Sequence, residues 1–309
     1  MSAEVTAGHG PRRSPLERRY EALLRIYPAA FRDRHGADII GTLMETSTPG
    51  RRVPSPRETA SLIREGLAAR ARQATESPVR WWADGLHLGV LILAVVHLVH
   101  VGADIVLQGR SSWPWVAVSM ALTLALLRGR LWAALPLALG SAFVVSRAML
   151  FGYAASADWP LLSNATVYHS WISLTPYWLM AAGVVVLAAR RSRELQPRSW
   201  WWLALPVATF AGDALLGVDL YSELGSLGRA GLEGGLLLAG IWVTTVTRSP
   251  RWALAAAIYV LPGELSTIAD LPQTLKSPMV TAYWAVLAVL LLAMAWIASR
   301  VRTDTGSGA

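Results

Sequence analysis

Apolar and polar positions change their rhythm near residue 80. Before it, apolar residues recur at helical spacing within otherwise polar segments; after it, they fill long runs broken by short polar stretches. Leu16, Tyr20, Leu23, Leu24 and Tyr27 fall on one face of a first helix. Pro28 can stop that helix and open the next, because proline suits a first helical turn. A second stripe follows in Phe31, His35, Ile39, Ile40, Leu43 and Met44. Residues 46–54 read as a loop of turn-forming types. Ser55-Pro56-Arg57-Glu58 is a capping box with proline in the first turn, and predicts a third helix whose apolar face is Leu62, Ile63, Gly66 and Leu67. Three short amphipathic helices over 15–80 are expected to enclose one small core. Residues 1–14, rich in Gly, Pro and Arg, and the tail 303–309 are expected to lie outside it.

A membrane-spanning helix needs about 20 mostly apolar residues, with a range of about 17–25. Eight stretches of the second region qualify: 84–107, 112–127, 131–152, 166–189, 199–220, 230–247, 252–270 and 278–298. The second is short, and the seventh is expected to be interrupted at Pro262-Gly263-Glu264. The predicted fold class is therefore all-α. It is a polytopic membrane helix bundle of about eight transmembrane helices over 81–302, with a small cytoplasmic three-helix domain at the N-terminus.

Composition sharpens this picture in one respect. Charged residues make up 16% of the 309-residue chain against about 25% in an ordinary soluble domain, and the first 80 residues hold 14 of the arginines. The net charge of +8 does not point to nucleic acid, because much of it lies in the breaks between apolar runs. With the N-terminus in the cytoplasm, the inner breaks hold Arg128 and Arg130; Arg190, Arg191, Arg193 and Arg198; Arg248 and Arg251; and Arg300 and Arg302. The outer breaks hold only Arg110, Arg229 and Lys276. That alternation follows the positive-inside rule, and Trp81, Trp82, Trp132, Trp200, Trp201, Trp202 and Trp252 mark the inner interface. Both termini are thus expected on the cytoplasmic side of the cell (inner) membrane, with the lipid bilayer as the first partner. The first 30 residues lack a cleavable signal-peptide core, so the first span is expected to serve as the insertion signal. The absence of cysteine excludes disulfides, thiolate metal sites and cysteine nucleophiles. Arg130/Trp132/Pro136, Arg198/Trp202/Pro206 and Arg251/Trp252/Pro262 form a weak repeat, which recurring membrane-entry chemistry explains.

Candidate chemistry lies in the ionisable residues at membrane depth, where each charge costs about 2.5–3.5 kcal/mol on insertion scales. They are His97, His100 and Asp104 in the first span, Arg147 in the third, His169 in the fourth, Asp213 and Asp219 in the fifth, Glu233 in the sixth, and Glu264 and Asp270 in the seventh. Nearly all fall in the outer half of their span, and the inner half reads as almost free of charge. His97, His100 and Asp104 lie within about 60° of one another at 100° per residue, so they form one polar stripe. The stripe fits a hydrogen-bonded network between helices, and less well a metal site, since no accompanying ligand-pair motif is present. Arg147 needs a carboxylate partner, for which Asp104, Asp213, Glu233 and Glu264 are at comparable depth. A carboxylate beside a Pro-Gly break, as at Glu264, is a recurrent way to build an ion site in a membrane. No cofactor motif or catalytic triad pattern is present.

Leu23 to Gly36, with its Tyr27-Pro28-x-x-Phe31-Arg32 centre followed by His35-Gly36, resembles the permease-prefix segment that precedes some bacterial export permeases and uncharacterised multi-pass proteins. The resemblance covers about residues 15–55 and implies a helical prefix ahead of a permease-like membrane body. The functional expectation is a transporter- or permease-like protein with an outward-facing acidic cavity, in which His97, His100, Asp104, Arg147, Asp213, Glu233 and Glu264 bind a substrate or ion. The alternative is a membrane-anchored signalling or scaffold protein whose residues 15–80 bind a cytoplasmic protein. An intramembrane enzyme using the His97 stripe is a third and weaker reading.

Overall fold

Every described element of the computed structural model is helical. The description covers residues 14–48, 50–75, 80–108, 113–151, 170–190, 195, 197–204, 223–269 and 278–306. The chain divides into two compact units, Met1–Ser77 and Pro78–Ala309.

The first unit holds α1 (Pro15–Leu24), α2 (Ala29–Glu45) and α3 (Pro56–Thr75). Each start has a local cause. Ser14 Oγ accepts from the Glu17 amide at 3.1 Å and the Glu17 carboxylate accepts from the Ser14 amide at 3.1 Å, so two orphan donors of α1 are satisfied reciprocally. The Ser55–Glu58 box does the same for α3, at 2.9 and 3.1 Å. Leu16, Tyr20, Leu24, Tyr27 and Leu62 are buried together, with Phe31, Ile39, Ile40, Leu43 and Met44 packed against them. Tyr27 stacks on Phe31 at 5.1 Å, and a Cβ on Gly66 would lie 2.9 Å from Ile26 and 3.0 Å from Tyr27, which fixes where α3 crosses this corner. The sequence stripe needs two corrections. Leu67 is exposed, because the buried residues of α3 are Leu62, Gly66 and Ala68, and His35 sits at the rim beside Phe31.

The second unit contains α4 (Trp81–Gln108), α5 (Trp113–Leu127), α6 (Leu131–Phe151), α7 (Thr175–Ala189, led by a 3-10 turn at Trp171–Leu174), α8 (Glu223–Thr247), α9 (Arg251–Ala269) and α10 (Pro278–Gly306). Among the described residues, six stretches are long and apolar enough to cross a membrane: Trp81–Gly102, Leu131–Phe151, Trp171–Ala189, Ala230–Thr247, Arg251–Ala269 and Pro278–Arg300. The α5 helix is apolar but has only 15 residues, about 22 Å at 1.5 Å per residue against a hydrocarbon core of about 30 Å. Of the expected fifth span, 199–220, only residues up to 204 are described, with a 3-10 turn at Trp200–Leu203. The seventh expected span is not broken. α9 runs continuously through Pro262, as membrane helices can when neighbouring helices support the freed backbone groups.

Two clusters build this unit. α4 packs against α5, α7 and α9, while α8, α9 and α10 pack on one another. Contacts give the directions: Thr123 meets Ala94 and Leu126 meets His87, so α5 runs antiparallel to α4, and so does α7, whose Gly183 meets Val90. α9 runs parallel to α4, since Gly85 meets Arg251 and Gly89 meets Ile258. The first four α-helices of the unit enclose a core that includes Val90, Leu91, Ala94, Leu122, Leu126, Val145 and Val184. Leu236 and Leu238 on α8, and Val286, Val289 and Leu292 on α10, are more than half exposed within the chain. A face of that kind is costly in water and is what lipid solvates.

Candidate functional site

His97 is buried and held from two neighbouring helices. Ser119 Oγ on α5 lies 3.0 Å from Nε2, and the Tyr177 hydroxyl on α7 lies 3.3 Å from Nδ1. Trp115 and Tyr177 set their rings edge-on to the imidazole at 5.6 and 5.0 Å. Ser119 has one proton and gives it to the Trp115 carbonyl at 2.9 Å. It therefore accepts from His97, which puts the imidazole proton on Nε2 and leaves Nδ1 to accept the Tyr177 hydroxyl. The imidazole has both nitrogens engaged by protein. Of the stripe His97, His100 and Asp104, these contacts involve His97. His100 is half-buried on the same helix; Asp104 lies on α4, with its side chain outside the description.

The second constellation joins α8, α9 and α10. Glu233 is buried on α8, and its carboxylate accepts a hydrogen bond from the Tyr283 hydroxyl on α10. Tyr283 sets its ring against Trp284 at 5.0 Å, in edge-to-face fashion. Trp284 in turn fills the space beside Gly263, where no Cβ would fit. The next residue of α9 is Glu264, whose Oε1 is buried and has no hydrogen-bond partner among the described residues. Two carboxylates are thus carried by neighbouring helices, one bonded to Tyr283 and the other next in sequence to the glycine that Trp284 fills. At 1.5 Å per residue, Glu264 stands about 20 Å along α9 from Arg251, and Glu233 about 21 Å along α8 from Thr247, so the two share a level. The Pro262-Gly263 pair serves this arrangement by admitting the Trp284 ring rather than by breaking the helix.

Arg147 on α6 lies over the Phe151 ring at 6.0 Å. Asp213, Asp219, His169 and Asp270 lie outside the described residues. Among the described residues no group of three His, Asp or Glu side chains is gathered as a metal ion would need. His97 is held by Trp115 and Tyr177 of the α4–α7 cluster, whereas Glu233 engages Tyr283 beside the α8–α10 cluster.

A buried charge cluster that the sequence reading did not assemble stands at one end of the described bundle. At the end of the bundle carrying the N-termini of α4 and α9, Asp84 Oδ2 accepts from Arg251 Nη1 at 2.7 Å, and Oδ1 pairs with Arg198 Nη2. Three residues on, His87 is fully buried and donates from Nε2 to the Leu126 carbonyl at 2.9 Å. The Arg198 amide donates to the Leu127 carbonyl at 2.7 Å. Arg198 and Arg251 sit in arginine-rich breaks, where orientation alone accounted for them. The spacing of Asp84 and His87, three apart on one helix face, was the one sequence sign of a buried polar cluster. Burial lowers the pKa of the Arg198 guanidinium, and the adjoining Asp84 carboxylate works in the opposite direction.

No protein-family model, curated protein or solved structure matches the chain.

Proposed function

We propose that this is a transporter- or permease-like membrane protein in which Glu233, Tyr283 and Glu264 line a route for protons or a small cation between α8, α9 and α10. One observation carries the reading: a carboxylate bonded to a phenol and a second carboxylate with a buried, unpartnered oxygen stand at one level of an apolar three-helix cluster. Carboxylates in such surroundings are expensive, and they mark ion and proton pathways when they persist. The arginine-bearing breaks put the N-terminus, the C-terminus and the Asp84 end on the cytoplasmic side of the cell membrane. The resemblance of residues 15–55 to a permease prefix supports the same reading.

Flux into liposomes containing purified protein, followed with a pH-sensitive dye and with cation-sensitive dyes, tests this. Glu233→Gln and Glu264→Gln are expected to remove most of the flux while inserting at parental levels. Parental flux in both variants rejects the route. A signalling or scaffold role is favoured by a different observation, the separate packed core of Met1–Ser77. A protein partner that copurifies with the whole chain and is lost on deletion of residues 1–77, in the absence of any flux, selects that role instead.

A further inference from the structure

Two pairs of arginines at the Asp84 end are used differently. Arg198 and Arg251 are spent on Asp84, whereas Arg128 and Arg130 are exposed, and their guanidinium groups make no hydrogen bond or ion pair to a described residue. Arg128 and Arg130 flank Gly129 in the cap that ends α5, and the stretch after α7 is fastened to that cap. A Cβ on Gly129 would lie 2.8 Å from the Leu195 carbonyl oxygen, the Arg198 amide donates to the Leu127 carbonyl at 2.7 Å, and Leu195 is buried with Leu131 and Leu187. This fastening sets Trp200 against Arg128, whose guanidinium carbon lies 4.6 Å from the ring centroid. Ser199 Oγ accepts from the Trp201 amide at 3.3 Å and starts the 3-10 turn that carries both indoles. A guanidinium held over an indole keeps edge N–H groups available for an anion.

Next to these cations α6 offers an apolar track. Trp132, Pro136, Leu139 and Phe143 fall within about 60° of one another at 100° per residue, and all four are exposed within the chain. Trp132 follows Arg130 by two residues, and Phe143 stands about 16 Å further along the helix, against about 15 Å for half a hydrocarbon core. Cations, interfacial indoles and apolar track thus follow one another in the order of a phospholipid's headgroup, interface and chain.

We infer that the Arg128–Arg130 cap and the α6 track bind an anionic phospholipid, with its phosphate at the two guanidinium groups and an acyl chain along Trp132, Pro136, Leu139 and Phe143. Charge selects among lipids. Neither arginine pairs with an acid among the described residues, so a zwitterionic headgroup brings an ammonium that both repel. Length selects lipid over free phosphate, which would use the arginines and leave the track bare. The site stands apart from the transport reading and needs neither flux nor a particular threading of the bilayer.

Native mass spectrometry of the whole chain in detergent, titrated with phosphatidylglycerol and with phosphatidylcholine of the same acyl chains, tests the site. Phosphatidylglycerol is expected to bind at least about tenfold more tightly. One basic residue beside an anionic headgroup is worth about fivefold in affinity. Arg128→Gln and Arg130→Gln are therefore each expected to weaken phosphatidylglycerol binding by about fivefold, and the double variant by about 25-fold. Both side chains are exposed, so these variants are expected to keep the parental melting temperature; where the double variant does not, the single ones carry the test. Arg248→Gln, exposed in another arginine-bearing break, is expected to leave the affinity at the parental value. Equal affinity of the parent for the two lipids, or parental affinity in folded Arg128→Gln and Arg130→Gln, overturns the site. Equal weakening by Arg248→Gln also overturns it, in favour of attraction spread over the whole basic surface. Glycerol phosphate, an anionic headgroup without chains, is expected to displace no phosphatidylglycerol at equal concentration. Displacement at that concentration overturns the lipid as occupant and selects free phosphate.

Discussion

Glu58 carries three contacts on one carboxylate: the Ser55 amide at 2.9 Å, the Tyr20 hydroxyl at 2.9 Å and the Arg51 guanidinium at 3.2 Å. The Ser55 amide, followed by the Tyr20 hydroxyl, holds its carboxyl below the usual range, while burial and this carboxylate push the Tyr20 hydroxyl up. A depressed carboxyl stabilises the fold above its unfolded pKa of about 4.3, and that contribution disappears as pH falls through the lower folded value. The first unit is therefore expected to loosen in acid below pH of about 4, and Glu58→Gln to remove that part of the acid dependence. Tyr20→Phe deletes one hydrogen bond and is expected to cost about 1 kcal/mol at neutral pH. A cysteine placed at the buried Ala68 reads both effects as its labelling rate. An unchanged pH profile in Glu58→Gln means that the carboxylate is not what ties α1 to α3.

Among the elements, α4 shows how packing rests on the absence of side chains. Gly85 and Gly89 admit α9, and Gly183 of α7 admits Val90 at 2.5 Å from where a Cβ would stand. Gly89→Leu is expected to cost at least about 1–3 kcal/mol and to lower the melting temperature in detergent, because overpacked side chains must leave their rotamers or push the helices apart. Gly140→Leu on α6, where nothing lies within 4 Å, is expected to leave it unchanged. Equal effects at the two positions would deny the α4–α9 contact its tightness. α5 ends on another glycine of definite purpose. Gly129 has φ of 66° and donates to the Leu126 carbonyl at 3.0 Å, while Arg130 donates to the Ala125 carbonyl at 2.8 Å, which is the Schellman end of a helix. Caps of this kind are readable in advance: the Ser55–Glu58 box marked the start of α3, and length and apolar runs marked the six long membrane helices. The course of α9 through Pro262 was not readable, because whether a proline breaks a membrane helix depends on its neighbours, here the Trp284 ring lodged against Gly263.

For the whole molecule, the same distinction separates what the chain declares locally from what only its folding brings together. His97 was visible as a polar residue on an apolar helix, but its engagement by Ser119 and Tyr177 depends on α5 and α7 arriving from 22 and 80 residues away. Glu233 and Glu264 stood out by charge, whereas Tyr283 did not, since a tyrosine near a helix end passes for an interfacial anchor. Arg198 and Arg251 were hidden by the very rule that orients the chain. The helix directions nonetheless agree with alternation. The starts of α4 and α9 and the end of α5 meet at one end of the bundle around Asp84 and His87, and the turn between α8 and α9 leads there as well. In a bilayer this end is expected to face the cytoplasm, with the Asp84 cluster there and the carboxylates of α8 and α9 toward the other side.

The most direct test is the sidedness of single cysteines in intact cells. Arg130→Cys lies at the Asp84 end, and Ser170→Cys precedes the opposite end of α7. An impermeant maleimide added outside is expected to label Ser170→Cys at once and Arg130→Cys only after the membrane is permeabilised. Labelling of Arg130→Cys from outside, or equal labelling of both before permeabilisation, contradicts the proposed threading of the bilayer and with it the placement of the route.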